Sequence, residues 1–144
     1  MAEKAGYARV LFMTRDKWPD YICCVLTVRD ELIKEQPALV QRLVDHVVSA
    51  GAWLEAADAN RDLAAELAAG PKVFNQKADV LKFVLNNPRD RVTYGDLKIV
   101  RKEFEEMMRL ALEAGILKRP VAYEKYVDES FSQKAKPVEV RIAK

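Results

Sequence analysis

The chain has one histidine, two cysteines and five glycines among 144 residues, and each scarcity excludes a chemistry. The lone histidine, His46, cannot build a zinc site without cysteines nearby, and Cys23 and Cys24 lie on a distant segment. The glycines, Gly6, Gly51, Gly70, Gly95 and Gly115, are too scattered for a phosphate-cradling loop or a dinucleotide fingerprint. No apolar run approaches the ~20 residues that cross a bilayer, so a soluble chain is expected. Residues 1–10 carry Glu3, Lys4 and Arg9 and lack the apolar stretch of a secretory signal. Charge of a single sign is missing too: 24 basic and 22 acidic residues leave +2, which gives no footprint for nucleic acid or an anionic membrane. The densest cationic stretch, Lys134, Lys136, Arg141 and Lys144, reads as a solvated tail.

What is present is enough for one domain, since half of the residues are hydrophobic. Two apolar runs, 8–13 and 21–28, are rich in Val, Leu, Ile and Cys and read as buried strands, with Trp18, Pro19 and Asp20 between them. Neighbouring side chains on a strand point to opposite faces, so Cys23 and Cys24 read as buried structural thiols rather than a vicinal disulfide. From Asp30 the period becomes helical. A short turn to Gln36 is followed by Pro37 at the first position of a helix to about Ala56, with Val40, Leu43, Val44, Val47, Gly51 and Leu54 on one face.

Asp58 or Asn60 is positioned to cap a next helix with the stripe Leu63, Ala64, Leu67 and Ala68, ended by Gly70 and Pro71. Asn75 is positioned to cap another, with Val80, Phe83 and Val84 inward and Asn86, Asn87 and Pro88 as its stop. A long amphipathic helix follows Asp96, with Val100, Phe104, Met107, Met108 and Ala111 opposite Arg101, Lys102, Glu105, Glu106 and Arg109. Gly115 and Ile116 have the form of a left-handed helix end with an apolar residue folding back, and a last short helix is expected over 120–131. The alternation Val138, Val140, Ile142 in the tail suits an added strand or disorder. Neither an internal repeat nor a low-complexity segment is present.

The acidic pairs Glu105 with Glu106 and Asp90 with Asp96 have no histidine or apolar pocket to tune them, so a solvated helix face and a turn explain them. Trp53, Met107 and Met108 stand at helical spacing and read as packing residues. No residue argues for catalysis, a metal or a cofactor, and a non-enzyme is expected.

Read in order, several segments resemble the later half of solute-binding proteins that serve ABC importers of nitrate, bicarbonate, taurine, alkanesulfonates or thiamine precursors. Gly6-Tyr7-Ala8-Arg9-Val10-Leu11 resembles a strand leaving the second lobe, and Trp18-Pro19-Asp20-Tyr21-Ile22-Cys23-Cys24-Val25-Leu26 its return strand. Pro37-Ala38-Leu39-Val40 through Ala52-Trp53-Leu54 is similar to a helix of those proteins that opens on a proline and closes on a tryptophan and a leucine. The likeness continues through Val73-Phe74-Asn75 and the stretch from Asn87-Pro88-Arg89 to Tyr94-Gly95-Asp96-Leu97. It closes on Glu113-Ala114-Gly115-Ile116-Leu117-Lys118 and Tyr126-Val127-Asp128-Glu129-Ser130-Phe131.

The resemblance implies an α/β, helix-rich fold, here a partial lobe of a type II periplasmic-binding-protein-like architecture over 1–131, followed by a tail over 132–144. The first lobe and most of the second would stand ahead of Gly6. The implied function is the solute-binding component, or a fragment of one, of an ABC importer for a small anion or anionic organic solute. The implied partners are the membrane permease, the solute and a further copy of the chain. An extracytoplasmic location follows from the resemblance, and a cytoplasmic one if the chain is complete without a signal. The competing classes are a truncated interaction protein that oligomerises and, third, an enzyme related to thiamine-pyrimidine biosynthesis, whose histidine- and cysteine-bearing motifs have no counterpart beyond the cysteine pair. A surviving ligand site is expected at Trp18, Asp20 and Tyr21, where two aromatic walls with polar tips flank a proline-stiffened turn.

Overall fold

A computed structural model describes residues 2–19 and 21–142. Helices supply all of its regular structure: α1 (Thr14–Lys17), α2 (Asp30–Glu35), α3 (Pro37–Ala56), α4 (Asp58–Ala68), α5 (Ala78–Asn86), α6 (Arg101–Glu113), a 3₁₀ turn (Tyr123–Lys125) and α7 (Ser130–Gln133). Pro37 opens α3 as its fixed φ and missing N–H favour, and the twenty-residue helix ends at Ala56, as the spacing of its apolar residues predicts. The face differs in detail. Val40 and Gly51 are buried, whereas Leu43 and Val47 remain exposed.

The strands expected over 8–13 and 21–28 are not formed, and among the described residues no strand occurs, so the helix-rich part of the expected class is what the structure shows. The physical reason is the lack of partners. A two-stranded ribbon is marginal by itself, and here the helical turn α1 separates the two runs. Their side chains are accordingly uncovered, Leu11 at 82% and Val25 at 57% of full exposure. The caps also differ from expectation: Ala57, Lys77 and Val100 occupy the N-cap positions of α4, α5 and α6, with no side-chain cap bond at any of them. Asn75 instead takes a left-handed φ of 49°, a conformation that asparagine tolerates better than most residues.

The molecule's best-packed region is α4 against α5, with α3 alongside α4. Among the described residues the buried apolar side chains are Val40 on α3, Ala65 on α4, and Phe104 with Tyr123 further along the chain. The ring of Phe104 meets Tyr123 edge-on at 6.2 Å, and Tyr126 meets Tyr123 at 5.8 Å. The opposite face of α6 is solvated and tied by Arg101 to Glu105 at 2.7 Å and by Arg109 to Glu106 and Glu113. Gly115 does end α6 in the left-handed region, at φ 69°, but Ile116 does not fold back and is 76% exposed. The expected last helix over 120–131 is broken into the 3₁₀ turn and α7. Beyond α7 the chain lies along α3, where Asp45 accepts the Lys136 N–H at 3.0 Å and Ser49 Oγ accepts that of Val138 at 2.8 Å. Among the described residues no helix is long and apolar enough to cross a membrane.

Candidate functional site

Trp18 follows α1 directly, its N–H donating to the Thr14 carbonyl at 2.8 Å, and Pro19 comes next in a turn. This places the rings of Trp18 and Tyr21 4.9 Å apart, inclined by 50°, so the two aromatics lie against one another. Trp18 is half-buried, Tyr21 is exposed, and Asp20 lies outside the described residues. The turn is anchored through Arg15, whose guanidinium meets the Asp90 carboxylate at 2.7 Å and also donates to the Asp90 carbonyl. The aromatic pair therefore rides on the loop that follows α5.

That loop is held from its other side by Arg61, which has no solvent exposure at all. Its guanidinium donates to the carbonyls of Leu85 at 2.7 Å, Arg89 at 3.0 Å and Val92 at 3.3 Å, and to the Glu55 carboxylate. Leu85 belongs to the last turn of α5, where carbonyls lack helical partners and a cation is favoured by the helix dipole. Glu55 in turn accepts the Tyr94 N–H at 2.8 Å and an Arg89 N–H at 3.0 Å, while Arg89 also reaches Asp58 at 2.6 Å. Burial acts to raise the Glu55 carboxyl, but the Tyr94 N–H, Arg89 and Arg61 outweigh it and hold the group below its ordinary value. The Tyr94 ring lies 5.4 Å from the Arg61 guanidinium, and burial pushes its hydroxyl upward.

Gly51 completes the lock. A Cβ there would stand 2.5 Å from the Tyr94 carbonyl and 2.6 Å from the Leu97 side chain, so only glycine lets the 94–97 backbone lie on α3. This cluster escaped the reading of the amino-acid pattern. The available signal was Arg61 itself, four residues before the fully buried Ala65 and thus on the inward face of α4, a position a solvated arginine would avoid. The expected stripe instead ran through Leu67, which is exposed.

His46 is exposed and bonded through Nδ1 to the Arg42 carbonyl at 2.6 Å, a helix-surface role in keeping with its position. It borders a shallow groove of about 440 Å³ shared with Ser49, Val138 and Arg141, and a second groove of about 410 Å³ lies between Leu97 and Gln133. Among the described residues no three His, Cys, Asp or Glu side chains converge as metal ligands. The cysteines are both exposed, with Sγ atoms 3.7 Å apart, which corrects the expectation of buried thiols on opposite faces: without a ladder the backbone need not keep the strand pleat.

The NMT1-like family, which comprises the nitrate-, sulfonate- and taurine-binding components of ABC importers, has a family model that matches residues 1–69. The match takes in both apolar runs, the Trp18 to Tyr21 turn, α3 and α4, and stops before α5 and the loop that Arg61 holds. No curated protein and no solved structure matches the chain.

Proposed function

We propose that this chain is part of the solute-binding component of an ABC importer for a small anion or anionic organic solute, such as nitrate, bicarbonate or a sulfonate. The observation that carries the reading is the family match over residues 1–69. The uncovered runs inside that match support it, because Leu11, Phe12, Val25 and Leu26 stand exposed as strand residues of an incomplete sheet would. In this reading residues 1–131 are a partial lobe of a type II periplasmic-binding-protein-like fold, 132–144 are its tail, the chain works outside the cytoplasm, and the membrane permease is its partner. Trp18 and Tyr21 form one wall of the cleft, Asp20 stands between them in sequence, and the other wall belongs to a second lobe.

Closure between two lobes supplies most of the burial that holds a small ligand, so the chain alone gives little heat in calorimetry with nitrate, bicarbonate, taurine or alkanesulfonates. Supplied with an amino-terminal lobe it binds one of them at micromolar Kd, and replacing Trp18 and Tyr21 together by alanine weakens that binding at least tenfold. Failure of the completed protein to bind any of the four overturns the transport reading. Unchanged affinity in the double variant, with a lowered melting temperature, leaves the aromatic pair a packing role.

A second reading, a stand-alone protein that pairs with its own copies, is favoured by the apolar residues left open on α3, namely Leu39, Leu43 and Val47. Sedimentation separates the two. A dimer that persists at micromolar concentration supports self-pairing, and a monomer at high concentration removes it.

A further inference from the structure

We infer that one face of α3 is a docking site for an extended peptide, which it reads through the peptide's main chain, and that residues 134–142 of this chain occupy it in cis as a removable strap. The carrying observation is a stripe of three polar side chains, Gln41, Asp45 and Ser49, four residues apart and so on one face of the helix. All three bond to backbone atoms near the end of the chain. Gln41 donates to the Phe131 carbonyl at 3.0 Å, Asp45 accepts the Lys136 N–H at 3.0 Å, and Ser49 Oγ accepts the Val138 N–H at 2.8 Å. The spacings agree: four residues of helix rise about 6 Å, and two residues of extended chain span about 6.6 Å. The stripe is also prearranged, because the Gln41 amide donates to the Asp45 carboxylate at 2.9 Å and the Ser49 hydroxyl donates to the Asp45 carbonyl at 2.7 Å, which leaves the hydroxyl's lone pairs for an incoming N–H.

The attachment does not depend on the side chains that the strap carries at its exposed positions. Among the described residues no bond joins the backbone of 136–142 to another backbone group, and the strap's ion pair, Glu139 with Arg141, lies within the strap itself. Val138 and Val140 are half-buried, while Glu139 and Arg141 are exposed. This is the pattern of main-chain recognition with alternate side chains turned inward. The class of ligand follows: an extended segment with two free N–H groups two residues apart and apolar side chains on alternate residues. The tail leaves room for a better one, since a groove of about 440 Å³ stays open between residues 138–141 and the helix residues His46 and Ala50. A partner with a bulkier apolar residue there buries surface that valine does not. The inference stands apart from the solute-binding reading, because the family match takes in α3 but ends at residue 69, well ahead of the strap.

The test uses the full chain with Val138→Pro, which removes the N–H that Ser49 accepts and frees the dock, and a fluorescent peptide with the sequence of residues 134–142 as probe. Anisotropy should show the peptide binding this variant at least tenfold more tightly than the parent, where the tethered strap competes at roughly millimolar effective concentration. Adding Ser49→Ala to the variant should weaken that binding at least tenfold. N-methylation of the peptide at the residue matching Val138 should do the same, and alanine in place of Lys136 and Glu139 should change it less than threefold. Equal binding to parent and variant, or an N-methylated peptide that binds as well as the plain one, overturns the proposal. Amide exchange on the parent chain decides independently of how any variant folds: Lys136 and Val138 should be protected and Glu139 and Arg141 should not, and equal exchange at all four overturns it. A parent that sediments as a dimer and is dissociated by Ser49→Ala would make the occupant the tail of a second copy and overturn the cis strap. None of these outcomes touches the solute-binding reading, which is judged by the anion calorimetry.

Discussion

Residues 2–28 and the helical body α3 to α5 both lean on the loop around residues 87–94, but they are fastened to it by different physics. The first is tied by exposed or partly exposed ion pairs: Lys4 to Asp79 at 2.5 Å on α5, Glu3 to Arg91 at 3.4 Å, and Arg15 to Asp90 at 2.7 Å. The second is fastened by the wholly buried Arg61, which satisfies three carbonyls and one carboxylate at once. Exposed pairs contribute little and are screened by salt, whereas removing one partner from a buried ionic network costs about 3–5 kcal/mol. Two parts of one chain thus differ in how firmly they are held. The weaker one contains both apolar runs and the aromatic turn of Trp18 and Tyr21.

The sharpest way to break this contrast is Arg61→Met, which keeps bulk and removes the fork. The carbonyls of Leu85, Arg89 and Val92 then lose their donor, and a loss of about 3–5 kcal/mol in urea unfolding is expected. A loss under about 1 kcal/mol would show that the loop is held by something else. Next in size is Gly51→Ala. Its Cβ would meet the backbone carbonyl of Tyr94, which cannot rotate away, so the loop must lift at a cost of about 1–3 kcal/mol, read from the melting curve.

Glu55 gives the same region a pH signature. Its folded-state value lies below the ordinary 4.5, so its contribution to stability is fully present above 4.5 and is lost as pH falls through the depressed folded value. Denaturant midpoints measured downward from pH 5 should therefore fall, and Glu55→Gln should flatten that fall while lowering stability at pH 7. A variant whose acid limb parallels the parent would remove Glu55 from the cause.

How far the sequence led can be judged element by element. Helix α3 was readable to the residue because Pro37 and the three-and-four spacing are local signals, and the left-handed end at Gly115 likewise needs only its own residue type. The stretches 8–13 and 21–28 misled because β composition states a preference that only a partner strand can fulfil, and none exists among the described residues. Arg61 escaped for a related reason: three of its four acceptors are backbone carbonyls 24 to 31 residues away, and carbonyls carry no sequence identity. At the candidate site the aromatic pair is legible as Trp18 and Tyr21, but their contact with each other depends on the α1 turn and Arg15, which composition does not reveal.

The smallest expected effect concerns the ties on residues 2–28. At 0.15 M salt the Debye length is about 8 Å, and at 1 M about 3 Å, comparable to the separations within these pairs. Asp79 and Asp90 are each held below the ordinary carboxylate range, first by hydrogen bonds from Lys4 and from Arg15 respectively, so both ties are charge-dependent. Raising the salt to 1 M should therefore loosen residues 2–19 while leaving the contacts of Arg61, which water does not reach, unchanged. Amide exchange by mass spectrometry reads the two regions separately: protection at the Thr14 to Trp18 turn should drop a few-fold, and protection on α4 and α5 should hold. Lys4→Ala and Arg15→Ala in one chain should reproduce the effect at low salt. Equal loosening of α4 and α5 would mean that the two regions unfold as one unit, and the distinction between exposed ties and the buried arginine would carry no mechanical consequence.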